Sequence, residues 1–94
     1  MTLDSVTSGI IEVLQEIGAA SGYEGQPLDE KTCPVKDLAW FDSLIQPASL
    51  VMLSDKLRVE IPNDANIYKS DTGRPLSIND AAAQLLKILN GKEA

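Results

Sequence analysis

The chain has 94 residues, 44% of them hydrophobic and 23% charged, enough for one folded domain over residues 1–94 and too few for two separate cores. A net charge of −6 with no histidine argues against nucleic acid and anionic lipid as partners, and removes the commonest general base and metal ligand. The single cysteine, Cys33, cannot close an internal disulfide, and no signal-like or long apolar segment occurs, so a cytoplasmic monomer without membrane insertion is expected.

Aromatic residues are scarce: Tyr23, Trp40, Phe41 and Tyr68. The core must therefore be mostly Leu, Ile, Val and Ala, a composition that repacks more readily than an aromatic one.

Residues 3–17 carry Leu3, Val6, Ile10, Val13, Leu14 and Ile17 at helical spacing, with Asp4, Thr7, Glu12, Gln15 and Glu16 mostly on the opposite face. This pattern predicts an amphipathic helix capped by Thr2 or Asp4 and stopping at Gly18. Residues 18–41 contain Gly18, Gly22, Gly25, Pro27 and Pro34, which exclude a continuous helix or a central strand. So long a connection in a small domain is either functional or folded over the core, here pinned by Leu28, Cys33, Val35 and Leu38. Cys33 reads as a small buried apolar residue, because nothing near it in the chain would activate a thiolate. Trp40 and Phe41 are expected to anchor the end of this loop.

The second main helix is expected over 43–58, with Leu50, Leu53 and Leu57 on one face and Val51 beside them. Pro47 lacks an N–H and belongs in a first turn, so this helix begins either at Ser43 or near Pro47. Ile61-Pro62 closes the segment. Residues 63–76 are polar and turn-rich, with a short helical turn expected near 65–68 and Ile67 facing inward. Ser77 opens the last helix and makes a capping-box-like pair with Asp80. Ala81, Ala82, Leu85, Ile88 and Leu89 form its apolar stripe, and Gly91 ends it. The expected fold is all-α: a small four-helix bundle of three main helices and one short one, with a long loop between the first and second main helices.

Catalytic constellations are hard to find. Asp71-Thr72-Gly73 matches the aspartic-protease triplet, but that chemistry needs a strand context which a helical chain lacks, and three-residue matches recur by chance. An Asp-Thr-Gly turn is the better account. There is no glycine-rich phosphate loop after a strand, no Cys/His cluster for a metal, and no histidine to activate a serine. One serine nevertheless stands out. Ser43 lies where a polar loop gives way to a helix, a position that exposes a hydroxyl and sets it beside a helix N-terminus that favours phosphate. An ordinary N-cap serine would read the same way. With no group on the chain to activate it, chemistry at Ser43 requires another protein, which favours a substrate or carrier over an enzyme.

The run Asp42-Ser43-Leu44, then Leu50-Val51-Met52, then Glu60-Ile61-Pro62 resembles the acyl carrier protein family. The spacing from Ser43 to Pro62 is similar to the family's, as are the long first loop, Asp37-Leu38 shortly before the serine, and Ile88-Leu89-Asn90-Gly91 near the end. The resemblance spans nearly the whole chain, and its specificity comes from the combination, since Asp-Ser-Leu alone is a weak signal. It implies a 4′-phosphopantetheine arm carried on Ser43 through a phosphodiester and installed from coenzyme A by a phosphopantetheinyl transferase. An acyl group would ride on the arm's thiol as a thioester, presented to acyl-loading and acyl-processing enzymes of fatty-acid, lipid or polyketide-type biosynthesis. Asp42 and Leu44 would be read by the transferase, and Val51 and Asp55 would face partners. No catalytic residue and no metal site is implied.

The chain departs from the family in three places. No glycine precedes Asp42 by two positions; Leu38-Ala39-Trp40-Phe41 stands there with one extra residue. The usual acidic face of the helix after the serine is replaced by Ile45, Pro47, Ala48 and Ser54, with Asp55 the main acid left and Lys56 beside it, which weakens steering towards basic partners. Residues 63–76 are longer than the family's. These departures imply a specialised carrier. A peptidyl or aminoacyl carrier would share Ser43 and its arm and differ only in load. An unmodified helical interaction module would instead use Ile45, Pro47, Ala48 and Val51 as an apolar docking patch.

Overall fold

The computed structural model describes residues 2–22, 28–38, 40–41, 44–62, 67–70 and 72–92. The described residues form four helices: α1 (Leu3–Ala20), α2 (Pro34–Asp37), α3 (Ile45–Leu57) and α4 (Ile78–Lys92). α1, α3 and α4 are the three main helices expected. The only β pairing among the described residues is an isolated antiparallel bridge between Lys69 and Pro75.

α1 starts where Thr2, in extended conformation, accepts the Ser5 N–H on its hydroxyl oxygen, satisfying one of the donors a helix start leaves open. Val6, Ile10, Val13, Leu14 and Ile17 are buried, as their spacing predicts, whereas Leu3, the first residue of the helix, is exposed and Thr7, expected on the polar face, is buried. The helix does not stop at Gly18 but runs to Ala20. Gly18 is there for room: a Cβ on it would sit 3.0 Å from Cζ2 of Trp40. Trp40 and Phe41 are buried at 9% and 5% exposure, so both anchor the loop end as expected, with the indole lying against α1. Gly18→Val would drive methyl groups into that ring. A loss of about 1–3 kcal/mol is expected from overpacking, read as a lower urea midpoint at an unchanged m-value.

The one-turn helix α2 lies inside the first connection. Pro34 begins it, at a position where a missing N–H costs nothing and the fixed φ helps. The Asp37 carboxylate accepts the Cys33 N–H at 2.9 Å and closes the turn. The short turn expected near 65–68 falls partly outside the described residues, and its described part, Ile67 and Tyr68, is not helical. Both are buried, at 0% and 2% exposure. Of the residues expected to pin the first loop, Leu38 is buried, Leu28 and Val35 pack partly buried against the core, and Cys33 is half-buried rather than buried.

The first loop also completes the start of α4. Thr32 and Glu30 carbonyls accept the Ile78 and Asn79 N–H groups at 2.8 and 2.9 Å, and the Ser77 hydroxyl accepts from Asp80 N–H at 3.1 Å. The capping role expected of Ser77 is present, and the donors of this helix end are taken up by the chain itself, while α4 runs through Gly91 to Lys92 rather than stopping at the glycine. α1 packs against both α3 and α4. Leu53 of α3 is fully buried, and its Cδ1 lies 3.2 Å from where a Cβ on Gly9 would be, so the missing side chain lets α3 approach α1 closely. Lys56 reaches back to Glu12 and Glu16 of α1 at 3.3 and 3.8 Å, an exposed pairing of small energetic weight.

Candidate functional site

α3 begins at Ile45, between the two starts considered, and Pro47 is its third residue. That position needs no N–H, because a first-turn donor has no partner within its own helix. Leu44 occupies the N-cap position with αR backbone and makes no side-chain cap hydrogen bond. Asp42 and Ser43, the residues that carry the sequence argument, lie outside the described residues. So does Asp71 of the Asp-Thr-Gly triplet. Its neighbours Thr72 and Gly73 belong to a tight turn in which the Gly73 N–H reaches the Ser70 carbonyl at 2.9 Å and Gly73 has φ +82.

The remaining partner-facing candidates share one side of α3. Leu44, Val51 and Asp55 are separated by seven and four positions, which brings them onto one helical face. All three are exposed, Leu44 at 80% and Val51 at 67%. Exposed Pro47 and Ala48 continue the stripe. Beside it runs a groove of about 330 Å³ lined by Pro47, Leu50, Val51, Ser54, Asp55, Ile61 and Pro62. Leu44 and Val51 are the most exposed large apolar side chains described. Asp55 is the one acid within α3. Lys56, next to it, is turned towards α1 by its pairing with Glu12 and Glu16, so it does not mask the Asp55 side of the helix.

The end of α3 is shaped by Arg58, in left-handed conformation at φ 55. The Val59 N–H returns to the Ser54 carbonyl at 3.1 Å and the Ser54 hydroxyl donates to the Val59 carbonyl. This turn carries the chain back so that Ile61 and Pro62 form the far wall of the groove.

Beneath the exposed stripe lies a buried polar pair that the sequence did not reveal. Ser49, at 0% exposure, donates its hydroxyl to the Gln46 carbonyl at 2.7 Å and meets the Tyr68 hydroxyl at 2.7 Å. The single Ser49 proton is used on Gln46, so Tyr68 donates to Ser49. Tyr68 is edge-on to Phe41, with ring centroids 4.7 Å apart, and Phe41 is edge-on to Trp40 at 6.1 Å. Burial pushes the Tyr68 hydroxyl up from 10.0 to about 12, against the smaller opposing effect of its bond with Ser49. The folded state therefore holds this proton more tightly than the unfolded state does. The resulting stability is complete below pH 10.0 and is lost as pH rises towards about 12. Chemical denaturation between pH 9 and 12 is expected to show this fall, less steep in Tyr68→Phe, whose ring cannot ionise.

No group of three or more His, Cys, Asp or Glu among the described residues is arranged to hold a metal ion. No helix of the described residues is long and apolar enough to cross a membrane. Comparisons with models of known families, with curated proteins and with solved structures found no match.

Proposed function

We propose that the chain is a carrier protein that bears a 4′-phosphopantetheine arm on Ser43 and holds an acyl group on it as a thioester. The observation that carries this reading is Asp42-Ser43-Leu44 standing directly before a helix that is followed by Glu60-Ile61-Pro62, in a small acidic helical bundle. α3 beginning at Ile45 is what the reading needs, since the serine then leads into a helix N-terminus, where a phosphate is favoured. Ser49, the nearest alternative hydroxyl, is fully buried and committed at both ends, which makes it unsuitable for attachment.

In the loading step the Ser43 hydroxyl oxygen attacks the phosphorus of coenzyme A that bears the pantetheine. A new O–P bond forms, the diphosphate linkage breaks, adenosine bisphosphate leaves, and the serine proton passes to a base of the transferase. The chain supplies the nucleophile and no catalyst; its partners are that transferase and the enzymes that load and process the acyl group. The exposed Leu44, Val51 and Asp55 would form part of the surface those enzymes read. With one acid in α3, recognition would lean on apolar contact more than on charge steering, which fits a dedicated set of partners.

Incubation with coenzyme A and a broad-specificity phosphopantetheinyl transferase is expected to raise the intact mass of the folded chain by one phosphopantetheinyl group. An unchanged mass would favour the second reading, an unmodified interaction module docking through the exposed Leu44 and Val51.

A further inference from the structure

We propose that residues 29–32 form a strap that opens and closes together with the first turn of α4, as one local unit separate from the rest of the bundle. The proposal goes beyond the carrier reading and does not depend on Ser43. The strap is a turn shaped by its own side chains. The Thr32 N–H reaches the Asp29 carbonyl at 3.1 Å, and the Asp29 N–H reaches the Thr32 hydroxyl at 3.1 Å. That hydroxyl donates to the Asp29 carboxylate at 3.3 Å, and the same carboxylate oxygen accepts the Lys31 N–H at 2.8 Å. Local side-chain bonds of this kind hold a turn without support from elsewhere in the fold.

So shaped, the turn brings the carbonyls of Glu30 and Thr32 to the start of α4, where they accept the Asn79 and Ile78 N–H groups at 2.9 and 2.8 Å. These are successive first-turn donors, which a helix cannot pair within itself. The next donor, on Asp80, goes to the Ser77 hydroxyl. When the strap leaves, two of these three donors lose their partners at once, and a helix start with one remaining cap frays. When the first turn of α4 unwinds, its two donors no longer line up with the two carbonyls. Each segment therefore holds the other closed.

Opening this unit costs little burial. Asp29, Glu30, Lys31 and Asn79 are exposed, Leu28 and Thr32 are half-buried, and Ile78 is the buried side chain that opening uncovers. The contact between α1 and α3 is different, since Ile10, Val13, Leu14 and Leu53 are each 1% exposed or less. Segments that bury little apolar surface open at a lower free energy than the whole domain. The strap and the start of α4 are thus a two-state element on a bundle that stays folded, and contact made at either segment is felt at the other.

Native-state amide exchange of the full chain, followed residue by residue by NMR, tests the coupling. Thr32→Val removes the hydroxyl from the strap and leaves every residue of α4 in place. Exchange at Ile78 and Asn79 is expected to speed up about fivefold, the factor that goes with loss of one ordinary hydrogen bond, with Ile10, Val13 and Leu53 unchanged. Unchanged exchange at Ile78 and Asn79 would overturn the proposal. So would an equal rise at all five amides, which would mean that the strap opens only with the whole bundle. Thr2→Ala removes the cap of α1 and is expected to speed exchange at Ser5 alone; a matching rise at Ile78 and Asn79 would overturn the proposal too. Asp29→Ala deletes the other half of the turn and is expected to reproduce the Thr32→Val result. It serves the same comparison should Thr32→Val lose its helical circular dichroism, and loss of the fold in both variants would overturn the claim of a separate unit.

Discussion

A Ser43→Ala chain is expected to take up no phosphopantetheinyl group under conditions that load the parent to completion. The effect is all or none, because the hydroxyl oxygen is the atom that forms the phosphodiester and alanine has nothing to replace it. The control that gives the result meaning is stability. If Ser43 serves as an attachment point, its removal should leave the urea midpoint nearly unchanged, whereas loss of a needed N-cap would cost about 0.5–2 kcal/mol. The N-cap position of α3 is occupied by Leu44, so the small effect is expected. Ser49→Ala should behave in the opposite way. It removes a buried hydroxyl that is bonded to both Tyr68 and Gln46, so it should lower stability and leave loading intact.

The second large effect is on folding. Leu53 is fully buried, at 0% solvent exposure, and sits over Gly9 of α1. Leu53→Ala would open a cavity at the contact between α1 and α3. A loss of about 2–5 kcal/mol is expected from the lost transfer energy and the void together, and roughly 4–8 °C of melting temperature goes with each kcal/mol in a domain of this size. Because a small domain has only about 5–15 kcal/mol to lose, the variant should be among the most destabilised single changes in the chain. Val51→Ala is the contrast. Val51 is 67% exposed on the opposite face of the same helix, and its truncation should move the midpoint by less than about 0.5 kcal/mol. A Leu53→Ala chain as stable as the parent would mean that α3 does not pack on α1 through this residue.

The helices were legible in the sequence because apolar periodicity and caps act locally. Thr2 and Ser77 cap where their positions predict, and Val6, Ile10, Val13, Leu14, Ala81, Ala82 and Leu85 are all buried. The misplacements have tertiary causes. Gly18 looks like a stop, yet it lies within α1 because Trp40, distant in sequence, occupies the space a side chain would need. Pro34 looks like a breaker, yet it starts α2, where proline is welcome. The bond between Ser49 and Tyr68 joins residues 19 apart in the chain, and neither carries a local pattern that announces the other. The site itself divides in the same way. The helix after Ser43 follows from spacing, whereas the exposure of the apolar Leu44 and Val51 does not, since spacing set Val51 beside the buried face of Leu50 and Leu53. The chemistry proposed at Ser43 rests only on residue identity and the family resemblance, since activation of that hydroxyl would come from a partner.

The most direct test of the carrier assignment is to locate the added group. The folded chain would be treated with coenzyme A and transferase, digested, and fragmented in the mass spectrometer. One phosphopantetheinyl group on Ser43, and on no other residue, is the expected result. A group found on another serine, or none found on a chain whose circular dichroism shows it folded, would contradict it.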